Sequence, residues 1–152
     1  MPIQSPHRVV KEARDLLGAP WQHQGRTALG IDCTGLVIVS ALHAGWNPVD
    51  GMRVLHLNYR NTPNDDSLER ALAKEGVRVP VDELRLADVV LFHLKPCPHP
   101  FHVGLVSQFV GDVPYVIHAD ATAKKVVEHA LSGHWREQAV CGYRFRDLVY
   151  FE

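Results

Sequence analysis

A cysteine at the start of an apolar stretch is the residue of this sequence best placed for chemistry. Cys33 lies in residues 30–39, GIDCTGLVIV, where a turn signal at Gly30 precedes an apolar run of helical length. A helix that begins here directs its unpaired backbone N–H groups and the positive end of its dipole toward the thiol, which favours the thiolate. Cys33 is therefore predicted to be a nucleophile, the alternative being an inert thiol that packs as a small apolar side chain.

A thiolate nucleophile needs a histidine as base and proton donor, and that histidine needs a third group to orient it. The 152 residues include ten histidines. His102 opens the predicted strand HVGLV and His118 ends the predicted strand YVIH, and neighbouring antiparallel strands can bring two such side chains together. Gly104 is expected to leave room beside His102. The pattern is compatible with a triad of Cys33, His102 and His118, with an ordinary core histidine as the alternative for His118.

The elements that must position these residues begin with helices. Residues 5–6, Ser-Pro, followed by apolar residues at helical spacing indicate a capped helix that Gly18 ends. A loop is predicted over residues 19–31, because prolines and glycines interrupt any periodicity. A helix is then predicted over about residues 34–43, ended by Gly45, and its dense apolar content indicates burial on most sides.

Strands dominate the second half of the sequence. Residues 46–66 predict an irregular connection, and residues 67–74 predict a short helix closed by Gly76. A turn is predicted at residues 132–133. The strand candidates are residues 88–94, 102–109, 115–118, 125–129 and 140–145. This order predicts one α+β domain over residues 1–152, with the nucleophile at the start of a buried helix packed on a mainly antiparallel sheet.

Composition narrows the classes of partner. A formal net charge of -1 gives no electrostatic reason to expect nucleic acid or an acidic membrane surface. No segment approaches the ~20 apolar residues of a membrane span, and the N-terminal residues lack the apolar run of a signal peptide. Cys33, Cys97 and Cys141 are odd in number and form no Cys-x-x-Cys pair, so a disulfide framework is not expected. Synthesis in a reducing cytoplasm is predicted.

A metal site is the rival interpretation of the histidines. Cys97, His99 and His102 are closely spaced, and His118 or His93 could complete a zinc site. The prolines among these residues oppose a compact metal-binding turn, and such a site would leave Cys33 unexplained. We therefore predict neither a metal nor another cofactor.

Several segments together resemble the NlpC-type cysteine peptidases of bacterial cell walls, which have a papain-like α+β fold. The resemblance covers nearly the whole chain, and the segments stand in the family's order. They are residues 17–21 (LGAPW), 30–37 (GIDCTGLV), 86–92 (LADVVLF), 102–106 (HVGLV) and 116–119 (VIHA).

The resemblance implies a specific activity. Cys33 would attack a peptide carbonyl in peptidoglycan, His102 would serve as base and acid, and His118 would orient His102. It also implies a subsite for a free amino end of the stem peptide, flanking the nucleophile at Asp32 and Thr34. The bland alternative for Asp32 is a helix cap.

This sequence departs from the family pattern in three places. Trp21 stands where the family usually has Tyr, beside the nucleophile; indole N–H can donate a hydrogen bond to an oxyanion but cannot accept one. The alternative for Trp21 is a packing aromatic. Thr34 replaces the usual Ser, and its added methyl group is expected to narrow the subsite. Ala87 replaces a common Gly.

A long segment between Cys33 and His102, about residues 46–80, and residues 126–145 resemble the branch encoded with phage tail and gene-transfer-agent genes. The implied partners are peptidoglycan stem peptides and phage tail or secretion-apparatus proteins. The implied location is the cell wall, reached from the bacterial cytoplasm without a signal peptide by delivery on a virion tail. Two alternatives stay open: a catalytically inactive cell-wall-binding or structural module of a phage tail, and a papain-like acyltransferase.

Overall fold

The computed structural model describes residues 5–51, 54 and 66–146. The helices in these ranges are α1 (Pro6–Arg14), α2 (Cys33–His43), α3 (Ser67–Glu75) and α4 (Gly133–Gln138). The strands are β1 (Arg26–Thr27), β2 (Gly30–Ile31), β3 (Gly76–Val79), β4 (Val89–Phe92), β5 (His102–Val110), β6 (Val113–Asp120), β7 (Lys125–Ala130) and β8 (Ala139–Phe145). None of the helices in these ranges has the length and apolar character needed to cross a membrane.

The larger sheet has the strand order β3-β8-β4-β5-β6-β7 within the described ranges, and its neighbouring strands are antiparallel. Strands β4 to β7 are joined in sequence order, because short turns suffice between antiparallel neighbours. The helices α1 and α2 pack on this sheet and share one apolar core with it. The predicted α+β class with a mainly antiparallel sheet is therefore confirmed.

Helix α2 is buried on most sides because its sequence is apolar around its whole circumference. Leu36 and Ala41 are fully buried, and the helix contacts both α1 and β5. Helix α1 is amphipathic instead, and it begins where Ser5 Oγ accepts a hydrogen bond from Arg8 N at 3.1 Å. Both predicted helices are confirmed, and the burial of α2 holds its first residue, Cys33, in a defined place.

Several predicted boundaries and elements are corrected by the structure. Helix α1 ends at Arg14 rather than continuing to Gly18, and Gly76 begins β3 instead of only closing α3. Residues 19–31, predicted as a loop, contain the short hairpin β1–β2, and residues 132–133, predicted as a turn, start helix α4. These elements are too short to carry a hydrophobic period, so tertiary contacts decide them.

Part of the predicted irregular connection over residues 46–66 lies outside the described residues. In its described portion, Val49 N and Asp50 N donate to the carboxylate of Glu75 at the end of α3, at 2.9 and 3.1 Å.

A buried ion pair joins the start of β4 to β8. Asp88 is completely buried, and its carboxylate accepts hydrogen bonds from Arg144 Nε at 3.0 Å and from Arg144 Nη2 at 2.8 Å. The backbone N–H of Arg85 donates to the same carboxylate at 2.7 Å. This two-pronged geometry suits a guanidinium and satisfies a charge that would be unfavourable in the core alone.

We expect Arg144→Met to destabilise the protein by about 3 kcal/mol, because it leaves the Asp88 carboxylate buried without its cation. Urea unfolding followed by circular dichroism measures the change. Arg136→Met is the matched control, since Arg136 pairs with Asp82 at the surface and exposed pairs contribute less than about 1 kcal/mol. Equal losses in the two variants would contradict a structural role for the buried pair.

Candidate active site

Cys33 is the first residue of α2, as the sequence predicts, and Asp32 caps that helix. Asp32 Oδ1 accepts a hydrogen bond from Gly35 N at 2.7 Å and from Thr34 Oγ1 at 3.1 Å. The cap satisfies one of the donors that a helix start leaves unpaired. The Cys33 thiol lies 3.8 Å from the carbonyl oxygen of Phe101, measured from Sγ. Cys33 therefore meets the chain that leads into β5.

Asp32 also binds the hairpin that precedes it. Arg26 Nη1 donates to Asp32 Oδ1 at 2.8 Å, and Gln24 N donates to Asp32 Oδ2 at 2.8 Å. Both side chains of the Arg26–Asp32 pair are largely buried. A Cβ at Gly35 would lie only 2.4 Å from the carbonyl oxygen of Gly25, so this close approach needs glycine. Asp32 therefore holds the hairpin β1–β2 against the start of α2 through hydrogen bonds, and Arg26 balances the negative charge of the Asp32 carboxylate.

His102 and His118 meet across neighbouring strands. His102 is the first residue of β5, His118 lies on β6, and His102 Nε2 is 2.9 Å from His118 Nδ1. Gly104 was expected to leave room beside His102, but the space it leaves is occupied by His118, because a Cβ there would lie 3.1 Å from the His118 Cβ. The structure thus brings the two predicted histidines into hydrogen-bonding contact.

His118 is completely enclosed. Burial lowers its pKa to about 4, with the nearby His129 acting in the same direction and Asp120 opposing it. The imidazole is therefore uncharged at neutral pH, with one ring nitrogen donating a hydrogen bond and the other accepting one.

A third histidine, which the sequence analysis did not single out, extends this contact. His129 lies on β7, and its Nε2 is 2.7 Å from His118 Nε2. Its Nδ1 is 2.9 Å from the carbonyl oxygen of Ala130. His118 is paired with Val127, so His129, two residues further on, lies on the same face of the sheet. Only the strand register makes this placement visible.

Trp135, on helix α4, was also missed. Its ring centroid lies 4.6 Å from that of His118, 5.4 Å from that of His129 and 5.8 Å from that of His102. Phe92 completes the group, at 5.4 Å from Trp135. Phe92 and Trp135 thus pack against the imidazoles, and this packing limits the water that can reach the buried His118.

A cleft of about 460 Å³ opens beside these residues. Five of the six predicted site residues line it, and the sixth, His118, lies behind His102. The five are Trp21, Asp32, Cys33, Thr34 and His102; other lining residues include Phe101, Asp120, His134 and Trp135. Such a cleft is large enough for part of an extended peptide.

The rival zinc arrangement has no counterpart in the described part of the chain. His93 Nε2 donates a hydrogen bond to the backbone carbonyl of Cys97 at 2.5 Å, and no three His, Cys, Asp or Glu side chains described by the structure come together as metal ligands. His102 instead contacts His118. The described structure therefore does not bring the residues of the rival zinc interpretation together.

The arrangement has the parts that acyl transfer through a thiol requires. The Cys33 thiol lies at the N-terminus of α2 and lines the cleft. His102 lines the same cleft and is hydrogen-bonded to the neutral His118. The hydrogen bond to His118 uses Nε2 of His102, which leaves Nδ1 as the other ring nitrogen of His102.

Comparison with known proteins gives structural relatives only. No family model matches the sequence, and no curated protein is similar to it. An NlpC/p60 family protein from Bacillus cereus ATCC 10987 superimposes with a TM-score of 0.68 at 20% identity, over 98% of this chain and 42% of that one. The NlpC/p60 domain of the peptidoglycan hydrolase SagA gives 0.58 at 17% identity, over 93% and 99%.

A third solved structure is the peptidoglycan hydrolase RipB from Mycobacterium tuberculosis, with a TM-score of 0.58 at 21% identity, over 97% of this chain and 66% of that one. The chain thus spans the whole SagA domain but less than half of the Bacillus cereus protein. These matches agree with the resemblance seen in the sequence segments. The chain has the papain-like α+β fold of NlpC/p60 domains.

Proposed function

We propose that this protein is a cysteine peptidase, an endopeptidase or amidase, that hydrolyses an amide bond in peptidoglycan stem peptides. The observation that carries the proposal is the contact between His102 and His118, at 2.9 Å, at a cleft that Cys33 also lines. The solved structures that share the fold include peptidoglycan hydrolases, which supports the substrate class.

In the proposed reaction, Cys33 gives its proton to Nδ1 of His102 and its sulfur attacks the scissile carbonyl carbon. The backbone N–H of Cys33 and the indole N–H of Trp21 donate hydrogen bonds to the oxyanion. His102 then protonates the leaving amine as the C–N bond breaks, leaving a thioester. Water, deprotonated by His102, attacks the thioester; the S–C bond then breaks to release the acid, and His102 returns its proton to the Cys33 sulfur. His118 orients His102 throughout.

Trp21, Asp32 and Thr34 form the proposed substrate subsite, because all three line the cleft next to Cys33. Asp32 already pairs with Arg26 and accepts three further hydrogen bonds, two of them from backbone N–H groups. Its contribution to the binding of a free amino end is therefore hydrogen bonding rather than a strong net charge.

We also propose delivery to the cell wall by a phage tail or secretion apparatus. This part rests on the spacing and segment resemblance of the sequence. It is tested by co-purification of the chain with tail particles, and the chemistry above does not depend on it.

The deciding experiment is digestion of purified peptidoglycan and isolated muropeptides, with products identified by mass spectrometry. Cys33→Ala should lower cleavage at least about a thousandfold, because it removes the nucleophile. Cys97→Ala is the matched control and should cleave like the wild type. The bond that is cut follows from the fragment masses.

Two results would overturn the enzyme proposal together. One is that wild type leaves every muropeptide intact, and the other is that iodoacetamide alkylates Cys33 no faster than Cys97. An inactive wall-binding module would then bind peptidoglycan without new fragments. An acyltransferase would instead join the acyl group to an added amine, with a mass increase in place of hydrolysis.

The lowered pKa of His118 has a consequence for stability. Because the ordinary pKa of 6.5 applies to the unfolded chain and about 4 to the folded one, the unfolded state binds more protons between these values. The contribution of the neutral His118 to the free energy of unfolding is therefore fully present above pH 6.5 and is lost as the pH falls toward 4. We expect this to remove up to about 3 kcal/mol of unfolding free energy.

Urea unfolding at pH 7.5 and pH 4.5 measures this loss, with His118→Gln as the reference because glutamine at position 118 does not titrate in that range. Carboxylate effects common to both proteins cancel in the comparison. A wild-type loss no larger than that of the variant would show that His118 is not held neutral by burial.

The charge balance at Asp32 predicts weak discrimination between free and blocked stem peptides. Acetylating the terminal amine of a cleaved muropeptide should lower kcat/KM less than about tenfold, since Arg26 already balances the carboxylate. Steady-state kinetics on the matched pair measures this. A drop of a thousandfold would mean that Asp32 acts as an unbalanced charge for the amine.

A further inference from the structure

We infer that His129 is a positioning residue. Its hydrogen bond to the carbonyl of Ala130 determines, through His118, which ring nitrogen of His102 carries the hydrogen. The inference rests on the proposed function and deepens it, because it adds a fourth member to the group formed by Cys33, His102 and His118. It follows from three hydrogen bonds that connect four groups in succession, and from the difference between a carbonyl oxygen and a ring nitrogen.

The chain of reasoning starts at Ala130. A carbonyl oxygen can only accept a hydrogen bond, and His129 Nδ1 lies 2.9 Å from it. His129 Nδ1 therefore carries the hydrogen. In a neutral imidazole the other nitrogen then holds a lone pair, so Nε2 of His129 is an acceptor.

The second step passes this direction to His118. His118 Nε2 lies 2.7 Å from the acceptor nitrogen of His129 and must donate to it. His118 is fully buried, and burial keeps it uncharged. A neutral ring that donates from Nε2 accepts at Nδ1.

The third step reaches the base itself. His118 Nδ1, now an acceptor, lies 2.9 Å from His102 Nε2, which must donate. Neutral His102 is therefore left with its lone pair on Nδ1, the form that can take a proton from Cys33. When it does so, the imidazolium still donates from Nε2, and no bond in the chain has to reverse.

The opposite direction would be unproductive. If His118 donated from Nδ1, His102 would accept at Nε2 and would carry its hydrogen on Nδ1, where a base is needed. Each imidazole by itself can donate or accept from either nitrogen, whereas the Ala130 carbonyl can only accept, so this carbonyl favours one of the two directions.

The sheet holds His129 in place for this task. His129 is paired with Val116 and His118 with Val127, so the two histidines are diagonal neighbours on one face of β6 and β7. The Trp135 ring packs against both, at 5.4 and 4.6 Å between centroids. Turning either imidazole over would replace its nitrogens with carbon atoms at the hydrogen-bonding positions.

Two substitutions distinguish the effect of hydrogen-bond direction at His129 from the effect of side-chain volume. In His129→Gln, the side-chain carbonyl can accept from His118 while the amide donates to Ala130, so the direction is kept. In His129→Phe, a ring of similar size fills the space and accepts no hydrogen bond. His43→Gln, at an exposed histidine of α2, is the control for the loss of one imidazole.

The first readout is the ¹⁵N NMR spectrum of the imidazoles at pH 7.5, which shows directly which ring nitrogen carries hydrogen. Wild type should have Nε2 protonated in His118 and Nδ1 protonated in His129. His129→Gln should keep the His118 signal, and His129→Phe should give a mixture of the two His118 tautomers.

The second readout is kcat for muropeptide cleavage. His129→Phe should lower it about tenfold to a hundredfold, the range typical of losing an outer partner that orients a histidine. His129→Gln should stay within about threefold of wild type. Unfolding by urea accompanies each variant, so that a loss of folding is seen as such.

The two readouts distinguish a failure of the positioning role of His129 from a failure of the proposed peptidase function. Nδ1 protonation of His118 in the wild type, or an unchanged His118 tautomer in His129→Phe, overturns the positioning role even if the protein cleaves peptidoglycan. Absence of cleavage by wild type overturns the proposed function, whereas the NMR result still decides the direction of the chain. If His129→Phe does not fold, the wild-type and His129→Gln spectra decide.

Discussion

The register of β5 against β6 is the constraint on which the candidate site depends. Leu105 pairs with Ile117, and both are completely buried. If β6 slipped by one residue against β5, Ile117 would turn away from Leu105 and His118 would move to the other face of the sheet. The burial of two apolar residues thus secures the contact of two polar ones. The energy that orients the site comes from the core, since a single hydrogen bond contributes only about 1 kcal/mol.

The other half of the site depends on a carboxylate. Asp32 caps α2 and at the same time holds the hairpin β1–β2 through Arg26 and the backbone of Gln24. Because α2 is buried against the sheet, the position of Cys33 relative to β5 is set by apolar packing. Asp32 sets the local backbone around it. Cys33 is therefore positioned by apolar packing, whereas hydrogen bonds and an ion pair of Asp32 hold the backbone around it.

The side chains packed behind His102 are polar, but the buried His118 among them is uncharged. Three imidazoles and a backbone carbonyl form a hydrogen-bonded line, with Phe92 and Trp135 against them. An aspartate in the place of His118 would introduce a buried charge that needs a partner, whereas a neutral imidazole satisfies two neighbours at once. The three imidazoles therefore satisfy one another's hydrogen bonds without adding a buried charge behind the cleft.

Much of this protein can be predicted from local chemistry. Ser5 and Asp32 are helix caps because a short polar side chain satisfies the first N–H groups wherever a helix begins, and apolar alternation marks the long strands. The segments around Cys33, His102 and His118 also indicate the fold, which the structural comparisons confirm. These features depend on residues that are near one another in the sequence.

The tertiary structure alone decided the rest. His129 and Trp135 have no local pattern that marks them, because their importance arises from the pairing of β6 with β7 and from the way α4 packs over the imidazoles. Arg26 likewise acquires its role only when the hairpin reaches Asp32. Residue types and caps are local properties of a chain, but which nitrogen faces which acceptor depends on distances across strands, and those distances exist only after the core has packed.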